Sequence, residues 1–251
     1  MPDVEILGVP VRDVDRPTLE GRIEEWVRNG SRCVLAYVNV HTVNLAAVDP
    51  RFRAFLREKA FTYCDGEGMR LAARLLGSRL PPRIVLTYWI SDLCRLCRRN
   101  GFSLFLLGGR EETVERAVEN IRARHAGLRV AGWHHGYFRK EGPENEAVLD
   151  RIRRASPDLL FVGFGMPLQE AWIERNLQDL GARVIFSAGS MIDYTAGSKS
   201  FAPRWMANHG LEWLYRLLQE PGRLWRRYLL GNPLFFLRVC AQRVRGGGPA
   251  G

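Results

Sequence analysis

Four short stretches carry residue types that could handle a polar, anionic substrate. FTYCDGEGM (61–69) sets Asp65 directly after an apolar run and beside glycines. A carboxylate at such a point can act as a general base that takes a proton from a hydroxyl. Asp-Gly is equally at home in an ordinary turn. YVNVHTVN (37–44) offers Asn39 and His41; Asn39 could meet a ligand or cap the following helix. SLFLLGGREE (103–112) runs into Gly108-Gly109 before a helical pattern, and a helix N-terminus there could hold a phosphate. A tight turn explains the glycines just as well, since neither G-x-G-x-x-G nor a P-loop is complete. DLLFVGFGMPLQE (158–170) ends in Gly163, Gly165 and Pro167, then Gln169 and Glu170. The glycines permit close backbone approach. The Gln169 amide can both donate and accept, as a sugar hydroxyl or an amide requires, whereas Glu170 also suits a helix N-terminus.

Other pairs carry less. Asp13-Val-Asp15 spells D-x-D, the pattern of metal-dependent sugar transfer, but it precedes Pro17 and Glu20 as a helix start does. Cys94 and Cys97 lack a second cysteine pair and sit at helical spacing, which disfavours zinc. His134-His135 has no cysteine or acid at ligand spacing, so no metal site is expected.

These stretches need elements to hold them. Apolar strand runs such as RCVLAYVNV, SLFLLGG, DLLFVGFG and RVIFSAG alternate with helical patterns along the chain. That order predicts an α/β fold, a doubly wound and mostly parallel sheet with helices on both faces. VEILGVPV reads as its first strand. In such sheets ligands bind beyond the carboxyl ends of the strands, where all four stretches fall. The chain has 251 residues. The expected division is a catalytic domain over 1–200, a basic amphipathic helical appendage over 201–245, and a frayed tail over 246–251.

Charge supports that division. The net charge is +10, and from residue 201 onward eight arginines face only Glu212 and Glu220. Such a basic segment implies an anionic partner. Leu211, Leu214, Tyr215 and Leu218 share one helical face, and Pro221 and Pro233 open two further short helices. Trp, Tyr, Phe and Arg on short amphipathic helices suit a membrane interface. The longest uncharged run of the tail, Tyr228–Leu237, has ten residues, against roughly twenty for a spanning helix. Five cysteines without a secretory signal fit a reducing cytoplasm. A peripheral protein at the cytoplasmic membrane face is the expectation. Two other classes compete: a basic nucleic-acid-binding protein, and an NAD-type Rossmann enzyme. The second needs an acid about twenty residues past the glycines, where RHAGLR stands.

DGEGM, LPPR, FLLGGREETVERA, GLRVAGWHHGYF, DLLFVGFGMPLQEAWIERN and FAPRWMANHGLEWLYRLLQEPGRLWRRYLLGNP run in order through residue 233. Together they resemble the WecG/TagA/CpsF family, glycosyltransferase family 26. The resemblance implies a Rossmann-like fold and an inverting transfer from a UDP-sugar, without a metal or other cofactor. It implies an acceptor sugar on a polyprenyl pyrophosphate, an anionic membrane surface as partner, no nucleic acid, and self-association as an option. By motif, Asp65 would be the base, with Asn39, Arg83 and Gln169 around the sugar. Gly108, Gly109, Tyr137 and Asp193, with the Gly163 and Gly165 turn, would lie near the nucleotide. Arg216, Arg223 and Arg226 would reach the acceptor pyrophosphate. Tyr37-Val38-Asn39 stands where the family often has Thr-Pro-Asn, and Leu86-Thr87-Tyr88 departs from a Gly-Ser-Asp or Gly-Thr-Asp pattern. The donor is accordingly left open among N-acetylmannosamine, its uronic acid and glucose.

Overall fold

The computed structural model describes residues 3–246. The expected frayed tail lies outside the described residues except for Gly246. The chain opens with β1 (Val4–Ile6) and β2 (Val9–Val11), then α1 (Arg16–Arg28), β3 (Cys33–Val38), α2 (Val40–Val48), α3 (Pro50–Glu58) and β4 (Ala60–Cys64). It continues through α4 (Glu67–Leu75), α5 (Leu86–Asn100), β5 (Ser103–Gly108), α6 (Glu111–Arg124), β6 (Arg129–His134) and α7 (Pro143–Ala155). β7 (Leu159–Gly163), α8 (Leu168–Asn176), β8 (Val184–Ser187) and α9 (Met191–Ala196) complete the α/β part. The basic segment forms α10 (Arg204–Asn208), α11 (Glu212–Gln219), α12 (Pro221–Trp225), a π-helical turn (Arg226–Leu230) and α13 (Gly231–Val244).

Six strands form one sheet in the order β4-β3-β8-β7-β5-β6, and every pairing is parallel. Parallel strands need crossovers, and the helices serve as these on both faces. Strands covered twice must be apolar throughout, which is why SLFLLG is buried at every position. One core cluster joins Phe52, Phe55, Met69, Trp172 and Ile173 beneath one face; the other joins Leu19, Trp89, Leu93, Val114 and Met191 beneath the opposite face.

VEILGVPV differs from the expectation of one strand in the sheet. β1 and β2 pair antiparallel as a hairpin of their own. Leu7 (φ 51°) and Gly8 (φ 81°) form its turn, and two positive φ values suit the twist of a two-residue hairpin. The expected boundary at residue 200 also changes meaning. α13 buries Phe235 and Val239 completely in the same cluster as α2 and α4. Asn44 Nδ2 donates to Gly231 O (2.7 Å), Arg243 to Leu75 O (2.7 Å), and Leu7 N to Gln242 Oε1 (2.9 Å). The last helix is therefore part of the core layer, and α10–α12 with the π turn bridge it back across the strand ends.

Candidate active site

The carboxyl ends of β3, β4, β5, β7 and β8 open on one edge of the sheet, and the basic segment covers them. Asp65 follows β4. Its backbone N–H donates to Val38 O (2.9 Å), locking it beside the end of β3. Gly68, in the first turn of the helix that follows, lets α4 lie close by: a Cβ there would stand 2.6 Å from Val40 Cγ2, so α4 and α2 could not pack this closely with a side chain at that position.

Asn39 does both things open to it. Its Oδ1 accepts from the N–H groups of His41 (3.0 Å) and Thr42 (3.1 Å), capping α2, while its Nδ2 points at Asp65 Oδ2 (3.4 Å). Burial raises the Asp65 carboxyl above its ordinary range; Arg216, the Asn39 amide and Arg83 pull it partly back.

Two cavities meet at Asp65. One, about 300 Å³, reaches past Gly165, Gly189, Ser190 and Thr87 to Lys199 and Arg223. The other, about 420 Å³, runs between α4 and the basic segment, with Met69, Leu71, Trp213 and Phe236 giving it an apolar wall. Asn39, His41, Asp65, Arg216, Arg227 and Tyr228 belong to both. The first cavity continues into a wider cleft of about 740 Å³ lined by Gly109, Gly136, Tyr137, Gly163, Gly165 and Asp193. Lys199 and Arg223 stand between these two spaces.

The cleft is built by close backbone approach. A Cβ on Gly108 would collide with the Gly163 carbonyl, and one on Gly163 with the Gly189 carbonyl, so the ends of β5, β7 and β8 can lie this close only with glycines there. Gly108 is therefore packed behind the cleft wall, and Gly109, Gly163 and Gly165 face the cleft. Glu111 and Glu112 occupy the first turn of α6. Their carboxylates already complement that helix end, so it is less suited to phosphate than its glycines suggested. Tyr137 is 72% exposed at the rim. Burial raises the Asp193 carboxyl, and Lys199 and Arg223 oppose the shift.

Gln169 takes a different place from the one expected. It is fully buried; its Oε1 accepts from Gly165 N (3.1 Å) and Gly189 N (3.0 Å), and its Nε2 donates to Glu170 Oε1 (2.7 Å). With its amide engaged behind the turns, Gln169 braces the cavity floor and does not line the cavity. Glu170 is buried beside it, and that burial pushes its carboxyl up to about 7. Arg83 is half-buried at the apolar cavity, bonded to Glu212 and Ala207 O (3.0 Å) and 3.5 Å from Glu67. It ties the basic segment to the α/β part.

Arg216 stands over the Tyr194 ring (5.3 Å) and borders both cavities. Arg223 also faces the cavity, paired with Glu220 (2.5 Å). Arg226 does not. It is exposed, with its guanidinium over the Trp225 ring (5.3 Å) on the outer surface. Its neighbour Arg227 turns inward and borders both cavities. Arg227 was missed by the sequence reading, although its spacing of four from Arg223 places both on one helical face. Thr87 was missed as well, having been noted only as a departure from a pattern.

The remaining pairs are structural. Asp15 accepts from Thr18 N (2.9 Å) and caps α1. Cys94 and Cys97 are buried in the core, where burial raises both thiols, Cys94 to about 12. His134 and His135 stack at 4.3 Å, and His135 Nδ1 accepts from Tyr137 N (3.1 Å), shaping the loop that carries that tyrosine. Among the described residues no three His, Cys, Asp or Glu side chains converge as a metal site would require.

Beyond the cavities, the basic segment presents an outward apolar face. Leu218 (70% exposed), Trp205, Trp225, Leu229, Leu230 and Leu237 (69%) are among its exposed large apolar side chains, and Arg204 and Arg226 are exposed as well. Among the described residues no helix is long and apolar enough to cross a membrane.

A family model described as "Glycosyl transferase WecG/TagA/CpsF family" matches residues 4–248. Proteins named N-acetylglucosaminyldiphosphoundecaprenol N-acetyl-beta-D-mannosaminyltransferase, from Staphylococcus aureus strains MW2, NCTC 8325 / PS 47 and MRSA252, are similar to this chain. Each is 29% identical over 239 residues, which cover 94% of this chain and 92% of the relative.

Proposed function

The chain belongs to the WecG/TagA/CpsF glycosyltransferase family, and from that premise we propose that it transfers N-acetylmannosamine from a UDP-sugar to a sugar carried on a polyprenyl diphosphate. The observation that carries this reading is the carboxylate of Asp65 at the junction of a polar cavity and an apolar-walled one. The donor occupies the polar cavity and the cleft behind it, with Lys199 and Arg223 toward its diphosphate. The acceptor sugar occupies the other cavity, with its lipid toward Leu71 and Phe236. The names of the Staphylococcus relatives support the sugar and the acceptor class.

In the reaction, Asp65 takes the proton of the acceptor hydroxyl. That oxygen forms a bond to the anomeric carbon as the bond from that carbon to the UDP oxygen breaks. The electron pair leaves with UDP, and the configuration inverts. The leaving diphosphate gathers negative charge, which the cationic side chains of the cavity stabilise without a metal. Burial serves the base, since a carboxyl with a raised pKa holds a proton better once it has taken one.

The outward face of the basic segment docks on the anionic membrane that carries the acceptor. Each arginine near such a surface contributes about 1 kcal/mol, and the exposed tryptophans and leucines insert between headgroups. The test is UDP release by the full chain from a panel of UDP-hexoses, with a detergent-dispersed sugar–diphosphate lipid as acceptor, with and without EDTA. Release with UDP-N-acetylmannosamine, dependent on acceptor and indifferent to EDTA, is expected. Release from another hexose alone would correct the donor, and loss with EDTA would overturn the metal-free mechanism.

A further inference from the structure

Behind the floor of the polar cavity lies a buried polar cluster that the transfer step itself does not use. Gln169 and Glu170 stand in the first turn of α8, and both are buried. The Gln169 amide oxygen gathers two backbone N–H groups from two separate turns, Gly165 after β7 and Gly189 after β8. Those glycines line the polar cavity and the wider cleft, and neither borders the apolar-walled cavity. An amide can give its oxygen to both turns only if its nitrogen points the other way, and there it donates to Glu170 Oε1 (2.7 Å). The second carboxyl oxygen, Glu170 Oε2, is buried without a hydrogen bond, and so is the Ser187 hydroxyl. Ser187 pairs with Val162 of β7, which belongs to the core cluster of Trp172 and Ile173 on α8. Paired residues share a face of the sheet, so Ser187 rises toward α8. It stands close enough to Glu170 for its hydroxyl to oppose the upward push of burial on that carboxyl. Among the described residues no cation acts on Glu170. Tyr37, on β3, is a further titratable group that feels its charge, and burial keeps that phenol neutral.

We infer that Glu170 is a positioning residue: paired with Ser187, it fixes the Gln169 amide through hydrogen bonds rather than charge, and so clamps together the two turns that shape the donor side of the site. In the neutral acid one oxygen accepts from Gln169 Nε2 and the other donates to Ser187 Oγ, which partners both orphaned atoms at once. In the carboxylate the Ser187 hydroxyl donates in return, so the clamp holds in both forms. Burial without a counter-charge pushes the carboxyl up to about 7, which makes the acid the prevailing form below neutral pH. Because no charge is needed, an amide of the same shape can replace the acid. In Glu170→Gln the side-chain oxygen still accepts from Gln169, and its nitrogen donates to Ser187. An apolar residue can do neither. The Gln169 amide is then free to turn over and set its own N–H groups against those of Gly165 and Gly189. The consequence for donor binding rests on the proposed transfer reaction, whereas the clamp does not.

The test uses the full chain and its Glu170→Gln, Glu170→Leu and Ser187→Ala variants. Hydrogen exchange followed by NMR reads the Gly165 and Gly189 amides, with the amide of Leu106 in β5 as a reference away from the clamp. Calorimetry reads the affinity for UDP, and steady-state assays read KM for the lipid acceptor. In Glu170→Leu the two glycine amides are expected to exchange about tenfold faster, as loss of one hydrogen bond implies, with Leu106 unchanged. UDP binding is expected to weaken by about threefold to tenfold, with the acceptor KM unchanged. Glu170→Gln is expected to match the parent on every reading and to keep the acidic limb of its pH–rate profile. Ser187→Ala is expected to fall between parent and Leu variant. The inference is overturned if the glycine amides of folded Glu170→Leu exchange as in the parent, if Glu170→Gln loses as much as Glu170→Leu, or if Leu106 speeds up equally, the mark of a generally loosened fold. An acceptor KM raised as far as the UDP affinity falls would overturn the confinement to the donor side. If Glu170→Leu does not fold, the other two variants still decide: exchange at both glycines must be faster in Ser187→Ala and unchanged in Glu170→Gln. Exchange needs no substrate, so a parent that binds no UDP would sink the transfer reading and not the clamp.

Discussion

Asp65 is placed to be ionised and yet ready to accept a proton. Its burial works against the charge, while Arg216, the Asn39 amide and Arg83 work for it. The sign for catalysis follows directly. A base must be deprotonated to act, so turnover rises as pH rises through a pKa above the usual aspartate range, and falls below it. Asp65→Asn is expected to lower kcat by about 10²–10⁴ and to remove that acidic limb from the pH–rate profile, with acceptor and donor KM little changed. Retention of the limb in the asparagine variant would assign the ionisation to another group. Asp65 stood out in the sequence as a carboxylate directly after an apolar run, but Asp-Gly suits an ordinary turn equally, and it was the family resemblance that singled it out as a base. The role of Gln169 was not legible. Its partners, Gly165 and Gly189, are backbone groups of two separate turns, and no side-chain pattern announces that an amide will be spent on them. The choice between Arg226 and Arg227 was equally hidden: the two are adjacent, the chain passes through a π-helical turn there, and only packing over the cavities decides which one turns inward.

At the scale of elements, the alternation of apolar strands and helices was plain, because strands buried on both faces must be apolar without interruption. The hairpin of β1 and β2 was missed since Leu7-Gly8 sits inside an otherwise strand-like run, where a two-residue turn has no polar flag. The last helix was misjudged for a different reason. Its aromatic residues suit a membrane and a core equally, and the buried pair Phe235 and Val239, spaced i and i+4, marks the inward face. The two faces of the segment predict separable losses. Phe235→Ala is expected to cost about 3–5 kcal/mol of stability, read as an earlier denaturation midpoint. Leu229→Ser with Leu230→Ser on the outer face is expected to leave that midpoint within about 0.5 kcal/mol while reducing sedimentation with anionic vesicles. Vesicle binding untouched by the paired change, or a midpoint lowered as far as in Phe235→Ala, would refute this division of faces.

On the scale of the whole molecule, the strand ends supply the Asp65 carboxylate and the glycine-lined cleft, and the basic segment supplies the cationic wall. Neither half makes the site alone: Asp65 comes from β4, whereas Arg216 and Arg227 come from the segment, and Arg83 holds the two together through Glu212. The excess of arginine over acid after residue 201 is thus divided between two surfaces, one turned into the cavities and one turned outward. Among the described residues Asp65 is the one carboxylate that borders both cavities; on the proposed reading it serves one direct displacement with no glycosyl-enzyme stage. The measurement that tests this most directly is the mass and anomeric configuration of the lipid product made by the full chain from UDP-N-acetylmannosamine. The account predicts a lipid heavier by one N-acetylhexosamine, with the anomeric configuration opposite to that of the donor. A product of retained configuration, or UDP release without any glycosylated lipid, would contradict it.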